Sequence, residues 1–82
     1  MCPVYLFWIA YQVNGRRCVR IERAASLILA RMSTALAYPD EGTFVEGYSL
    51  EDKMVTRVPE DMVGRELSQA EAQKLLTLFA AA

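Results

Sequence analysis

The chain has 82 residues, 54% of them hydrophobic, and a formal net charge of −1. That length fits one domain, here residues 1–82, with a thin core, and so small a body hides that much apolar surface with difficulty, so part of it should mark an interface. Histidine is absent, which excludes Ser-His-Asp and Cys-His catalysis and removes the commonest general base and metal ligand.

Residues 4–13, Val-Tyr-Leu-Phe-Trp-Ile-Ala-Tyr-Gln-Val, are rich in the aromatic and β-branched types that suit a pleated surface. Asn14-Gly15 follows, a strong hairpin signal because a type I′ turn needs positive φ at both central residues. The return strand covers 16–24. A two-residue loop fixes the register, with Val13 opposite Arg16, Tyr11 opposite Cys18, Ile9 opposite Arg20 and Phe7 opposite Glu22. Leu6, Trp8, Ala10, Val19 and Ile21 then share one apolar face. Tyr5, Phe7, Ile9, Tyr11 and Val13 share the other, among Arg16, Cys18, Arg20 and Glu22. The first strand is apolar on both sides, the pattern of a strand covered on both faces.

Ser26 is a candidate N-cap for a helix over 27–37, whose residues Ile28, Met32, Ala35 and Leu36 recur at helical spacing and are expected as its inner stripe, with Arg31 and Ser33 outward. Tyr38-Pro39-Asp40-Glu41-Gly42 ends it, since proline disfavours helix in the preceding residue. Residues 43–49 and 54–58 read as a second, weaker hairpin turning at Glu51-Asp52, with Glu46 opposite Arg57 and Tyr48 opposite Val55. Pro59 opens a single helical turn that Gly64 terminates. Ser68-Gln69-Ala70-Glu71 is a capping box, and the last helix runs over 68–79 with Ala72, Leu75, Leu76 and Phe79 inward. The expected fold class is α+β, ββαββα: an antiparallel sheet of two hairpins, with two helices packed on one face, that of Trp8 and Ile21.

Charge is unevenly spread. Residues 1–37 carry five arginines and one acid, a net of +4, and residues 38–82 carry four bases and nine acids, a net of −5. Such a split marks a basic docking face or, more often, two halves that pack together. The two cysteines, Cys2 and Cys18, are not brought opposite each other by the hairpin register and read as reduced thiols of a cytoplasmic protein. The apolar run 3–11 lacks a basic leader and a cleavage site and is too short to span a bilayer.

No arrangement with catalytic geometry emerges. Gly15, Gly42, Gly47 and Gly64 are scattered rather than spaced as a phosphate loop. The acid pairs Asp40-Glu41, Glu51-Asp52 and Glu60-Asp61 fall in turns or at helix starts, where acids are solvated or complement the helix dipole. Arg65-Glu66 reads as a solvated turn, and Cys18 as a small packed residue. A thiol enzyme built on Cys18 would need activation by Arg16, Arg20 or a helix end.

The expected function is therefore a non-enzymatic interaction module with no cofactor, metal or membrane partner. It binds itself as a homodimer, or another protein, through Tyr5, Phe7, Ile9 and Tyr11, with Arg20 at the rim. The alternatives are that a helix of the same chain covers this face, or that it binds single-stranded nucleic acid weakly, with Tyr5, Phe7 and Tyr11 stacking bases and Arg16 and Arg20 neutralising phosphate.

Overall fold

Asn14 and Gly15 take φ of 51° and 77°, the type I′ requirement, in a computed structural model that describes residues 4–37 and 42–81. The turn joins β1 (Tyr5–Val13) to β2 (Arg16–Ala24) in the register expected from a two-residue loop, from Val13 opposite Arg16 to Phe7 opposite Glu22. Ser26 then caps α1 (Leu27–Ala37), its Oγ accepting from the Leu29 amide at 3.3 Å. The expected helix stop at Tyr38-Pro39 lies outside the described residues.

Strand β3 (Gly42–Ser49) does not return on itself. It pairs antiparallel with the open edge of β1, placing Tyr48 opposite Trp8 and Phe44 opposite Tyr11, with Val45 as an extra residue between Phe44 and Glu46. Gly47 sits opposite Ile9, where a Cβ would come 2.9 Å from the Ile9 Cδ1, so a larger residue would push against β1. The predicted second hairpin is thus corrected. Residues Asp52–Val55 form α2, a single helical turn whose Met54 and Val55 amides both donate to the Glu51 carbonyl. A long apolar edge on β1 gives β3 a better partner than the five residues 54–58. As a helical turn, that segment brings Met54, Val55 and Val58 onto the core instead.

A 3-10 turn (Glu60–Met62) follows Pro59; extended Val63 ends it, one residue before the expected Gly64, which takes φ 83° and donates its amide to the Ile21 carbonyl at 2.7 Å. The short β4 (Glu66–Leu67) pairs antiparallel with β2, giving the sheet order β3-β1-β2-β4. Helix α3 (Gln69–Ala81) completes the ββαββα order of the strands and long helices. The fold is α+β, a four-stranded antiparallel sheet with two principal helices.

Those helices lie on opposite faces of the sheet. Leu75 and Phe79 of α3 pack with Leu6, Trp8, Ala10, Val19 and Ile21, and with Leu50, Met62 and Leu67. Ala30 of α1 packs with Phe7, Ile9, Tyr11, Val13 and Cys18, flanked by Leu27 and Phe44. The single-face expectation holds for α3 and fails for α1, because a central strand apolar on both sides must be shielded from water on both.

The capping box forms as its sequence demands. The Glu71 amide donates to Ser68 Oγ at 3.1 Å, and the Ser68 amide donates to Glu71 Oε1 at 2.9 Å. Arg65 adds a two-pronged contact, donating to both Glu71 carboxylate oxygens at 3.1 and 2.7 Å. The Arg65 guanidinium first, and the Ser68 amide second, hold the Glu71 carboxyl down to about 2. A depressed carboxyl contributes stability that is complete above its unfolded value and is lost as pH falls through the folded one. Urea unfolding of the unmodified chain should therefore weaken between about pH 4.5 and 2, and the Glu71→Gln variant should lack that portion of the decline.

Candidate interaction surface

Alternation along β1 brings Tyr5, Phe7, Ile9 and Tyr11 to one side, as the sequence predicts, but Phe7, Ile9 and Tyr11 are buried there beneath α1 of the same chain. The Tyr11 hydroxyl donates to the Arg31 carbonyl at 3.2 Å. Phe44 meets the Tyr11 ring edge-on at 5.9 Å, and the Arg31 guanidinium lies 3.9 Å from the Phe44 centroid, covering its face. Tyr5 alone of the group is exposed, edge-on to Phe7 at 6.5 Å. Arg20 is not at a rim. Its guanidinium donates to the Gly64 carbonyl at 3.0 Å and lies 3.6 Å from the buried Glu22 carboxylate.

These positions correct the expected interface: Phe7 and Ile9 are out of a partner's reach and Tyr11 is buried at its edge, because an intrachain helix occupies the face. They also remove the stacking platform that single-stranded nucleic acid needs, since two of its three rings are covered. The charge asymmetry resolves within the chain. Arg16 pairs with Glu66, Arg17 with Glu46 and Arg23 with Glu60, each linking the basic half to the acidic half.

The apolar surface lies one layer further out. In α1 the sheet-facing stripe is Leu27, half-buried at its start, followed by the small Ala30 and Thr34, while Ile28, Leu29, Met32 and Leu36 face away. Ala30 and Thr34 are 0% and 1% exposed, and the Thr34 hydroxyl is satisfied by donating to the Ala30 carbonyl at 3.1 Å. Ile28, Met32 and Leu36 are 70%, 57% and 81% exposed, and Leu29 beside them is 48% exposed. The expectation that Ile28, Met32, Ala35 and Leu36 line the inside is inverted. Bulky Phe7, Ile9 and Tyr11 already fill the space above the sheet, so the helix approaches closely only on small residues. Arg31 is the helix's sole charged residue, and Phe44 holds its guanidinium to one side. A hollow of about 250 Å³ opens on this flank, lined by Tyr11, Ile28, Arg31, Met32 and Ala35.

On the other side of the sheet an open cleft of about 610 Å³ runs between α3 and the β1–β2 strands, over Trp8, Val19, Leu67 and Leu76. Its one ionisable lining residue, Arg17, is engaged by Glu46. The Trp8 indole N–H has no hydrogen-bond partner among the described residues and is closed off from solvent.

No protein-family model matches this chain, and no curated protein or solved structure matches it significantly. Cys18 is buried; Cys2 lies outside the described residues. Among the described residues, no three His, Cys, Asp or Glu side chains gather where they would hold a metal ion, and no helix is long and apolar enough to cross a membrane.

Two measurements probe this packing. At low protein concentration, Ala30→Leu should cost about 1–3 kcal/mol in urea unfolding by lifting α1 off the sheet, while Leu36→Ala should change stability by no more than about 0.5 kcal/mol. Glu22 gives a pH signature opposite to that of Glu71. Burial raises its carboxyl above the ordinary value, against the pull of Arg20. A raised carboxyl makes the folded chain bind the extra proton, so stability should rise as pH falls through the raised value toward about 4.5. Glu22→Gln should abolish that rise.

Proposed function

We propose that this chain is a non-enzymatic interaction module that docks through the outward face of α1. The observation that carries the reading is the inverted helix: Ile28, Met32 and Leu36, four residues apart and so on one stripe, stand exposed above an inner stripe of Ala30 and Thr34. An apolar stripe turned to solvent loses the free energy that burial would give each side chain, about 1.5–3 kcal/mol for a fully buried Leu or Ile. Contiguous patches of this kind are the mark of interaction sites. Because the sheet side of α1 admits little beyond Ala30 and Thr34, these large side chains are left as a continuous apolar face that only a partner can cover.

The competing classes have less support. Nucleic acid needs unengaged cations and exposed rings, whereas Arg16, Arg17 and Arg23 pair with acids and Phe7 and Tyr11 are covered. Acid–base catalysis needs titratable groups in one cleft, and the cleft beside α3 holds Arg17 as its one ionisable lining residue. A cytoplasmic setting accords with a sequence whose two cysteines are too few for a disulfide framework.

Met32 reports directly on occupancy of the face. Its thioether is 57% exposed in the single chain and should oxidise readily with peroxide in dilute purified protein. In intact source cells the docked state should slow that oxidation relative to dilute protein, read as sulfoxide on the Met32 peptide by mass spectrometry. Buried Met62 serves as the internal reference. Equal rates for Met32 in cells and in dilute solution would refute docking through α1.

A further inference from the structure

We infer that the occupant of this face is a second copy of the chain, packed α1 against α1 antiparallel about a two-fold axis at Met32. The inference rests on the docking role of α1 and adds the identity and pose of the partner.

Self-complementarity is the first argument. A two-fold interface must match its own surface, residue i meeting j and j meeting i. Ile28, Met32 and Leu36 are evenly spaced by four about Met32. In an antiparallel pair centred there, Met32 meets Met32 of the other copy, Ile28 meets its Leu36, and Leu36 meets its Ile28. These three residues form an i±4 ridge, and two such ridges interdigitate in the commonest helix packing of globular proteins.

Charge and shape point the same way. The outward arc of Ile28, Leu29, Met32, Ala35 and Leu36 holds no ionisable group, and Arg31, which borders it in the hollow, has its guanidinium drawn over the Phe44 ring. The chain's net charge of −1 gives little repulsion between copies. Leu36 is the most exposed of the stripe, at 81%, and the hollow of about 250 Å³ has Ile28 on its wall. The two-fold pairing brings Leu36 of each copy to the Ile28 wall of that hollow in the other. A lipid surface fits less well, because interfacial helices carry cations along their polar face and α1 has only Arg31.

Area sets the strength. The exposed stripe presents a patch on the order of a few hundred Å², less than the ~800 Å² per partner of a standard interface. The dimer should accordingly be weak, with a dissociation constant of roughly 10⁻⁶–10⁻⁴ M.

Sedimentation equilibrium of the purified chain across that range, with cross-linking in a Cys2→Ser background, tests both identity and pose. The unmodified protein should pass from monomer to dimer. Leu36→Glu should weaken the dimer at least about tenfold while its circular dichroism stays that of the folded monomer. Met32→Cys should form a disulfide across the axis. Leu36→Cys alone should not, because its two copies lie about 12 Å apart along the helix pair and a disulfide needs Cα atoms within about 7 Å. A mixture of Ile28→Cys and Leu36→Cys proteins should cross-link to each other. A monomer throughout would overturn the second-copy assignment. If Met32 were nevertheless shielded in cells, the docking role of α1 would survive with another partner; if it were not, both would fall. Dimers that persist in Leu36→Glu, a Leu36→Cys homodisulfide, or binding of monomeric protein to phosphatidylserine vesicles would each overturn the proposal.

Discussion

The architecture depends on β1, which lies inside the sheet between β3 and β2 and is apolar on both of its faces. A strand of this kind must be shielded from water above and below. The chain has two helices of useful length, so each face receives one, α1 over Phe7, Ile9 and Tyr11 and α3 over Trp8, Ala10 and Ile21. Three thin layers result, with two small cores in place of one larger core. The outer surface of each helix is then the outer surface of the molecule, with nothing behind it.

That arrangement explains the inversion of α1. Above β1 the sheet presents two aromatic rings, Ile9 and the Phe44 ring from β3. A helix bearing large residues on its inner stripe would be held away and would leave voids, each costing packing contacts. Ala30 and Thr34 allow close approach, and the hydroxyl that this buries finds the carbonyl one turn back. The remaining large side chains of the helix have only the outward direction left. In α3 the balance differs. Leu75 and Phe79 reach down to Trp8 and Ile21, the Trp8 ring meeting Phe79 edge-on at 6.2 Å and stacking on Tyr48 at 6.4 Å.

Electrostatics joins the halves rather than forming a site. The arginines of β2 reach acids on β3, on the 3-10 turn and on β4, and Arg65 braces the capping box. Exposed pairs of this kind contribute about 0–1 kcal/mol each, so their effect is on register and orientation more than on stability. Arg20 and Glu22 differ because both are largely enclosed. Desolvation there works against the carboxylate and outweighs the arginine's pull, which makes this pair a weak point of the α1-side core.

Elements whose signal is local were legible in the sequence. The Asn14-Gly15 turn dictated the β1–β2 register because its dihedral demands fix the loop length, and Ser26 and the Ser68/Glu71 box marked helix starts because caps are satisfied within one turn of chain. The two faces of β1 followed from alternation alone. The pairing of β3 with β1 over a partner closer in sequence was not legible, since edges of comparable local quality compete and only the assembled sheet ranks them. Nor was the inward face of α1. Hydropathy made Ile28, Met32 and Leu36 its inner stripe, but volume decided otherwise, and the space available to Ala30 and Thr34 exists only once Phe7, Ile9, Tyr11 and Phe44 are in place. The sequence by itself determined that apolar surface would exceed what the chain hides; the tertiary structure decided where that surplus lies, on a helix whose small residues had to face the sheet.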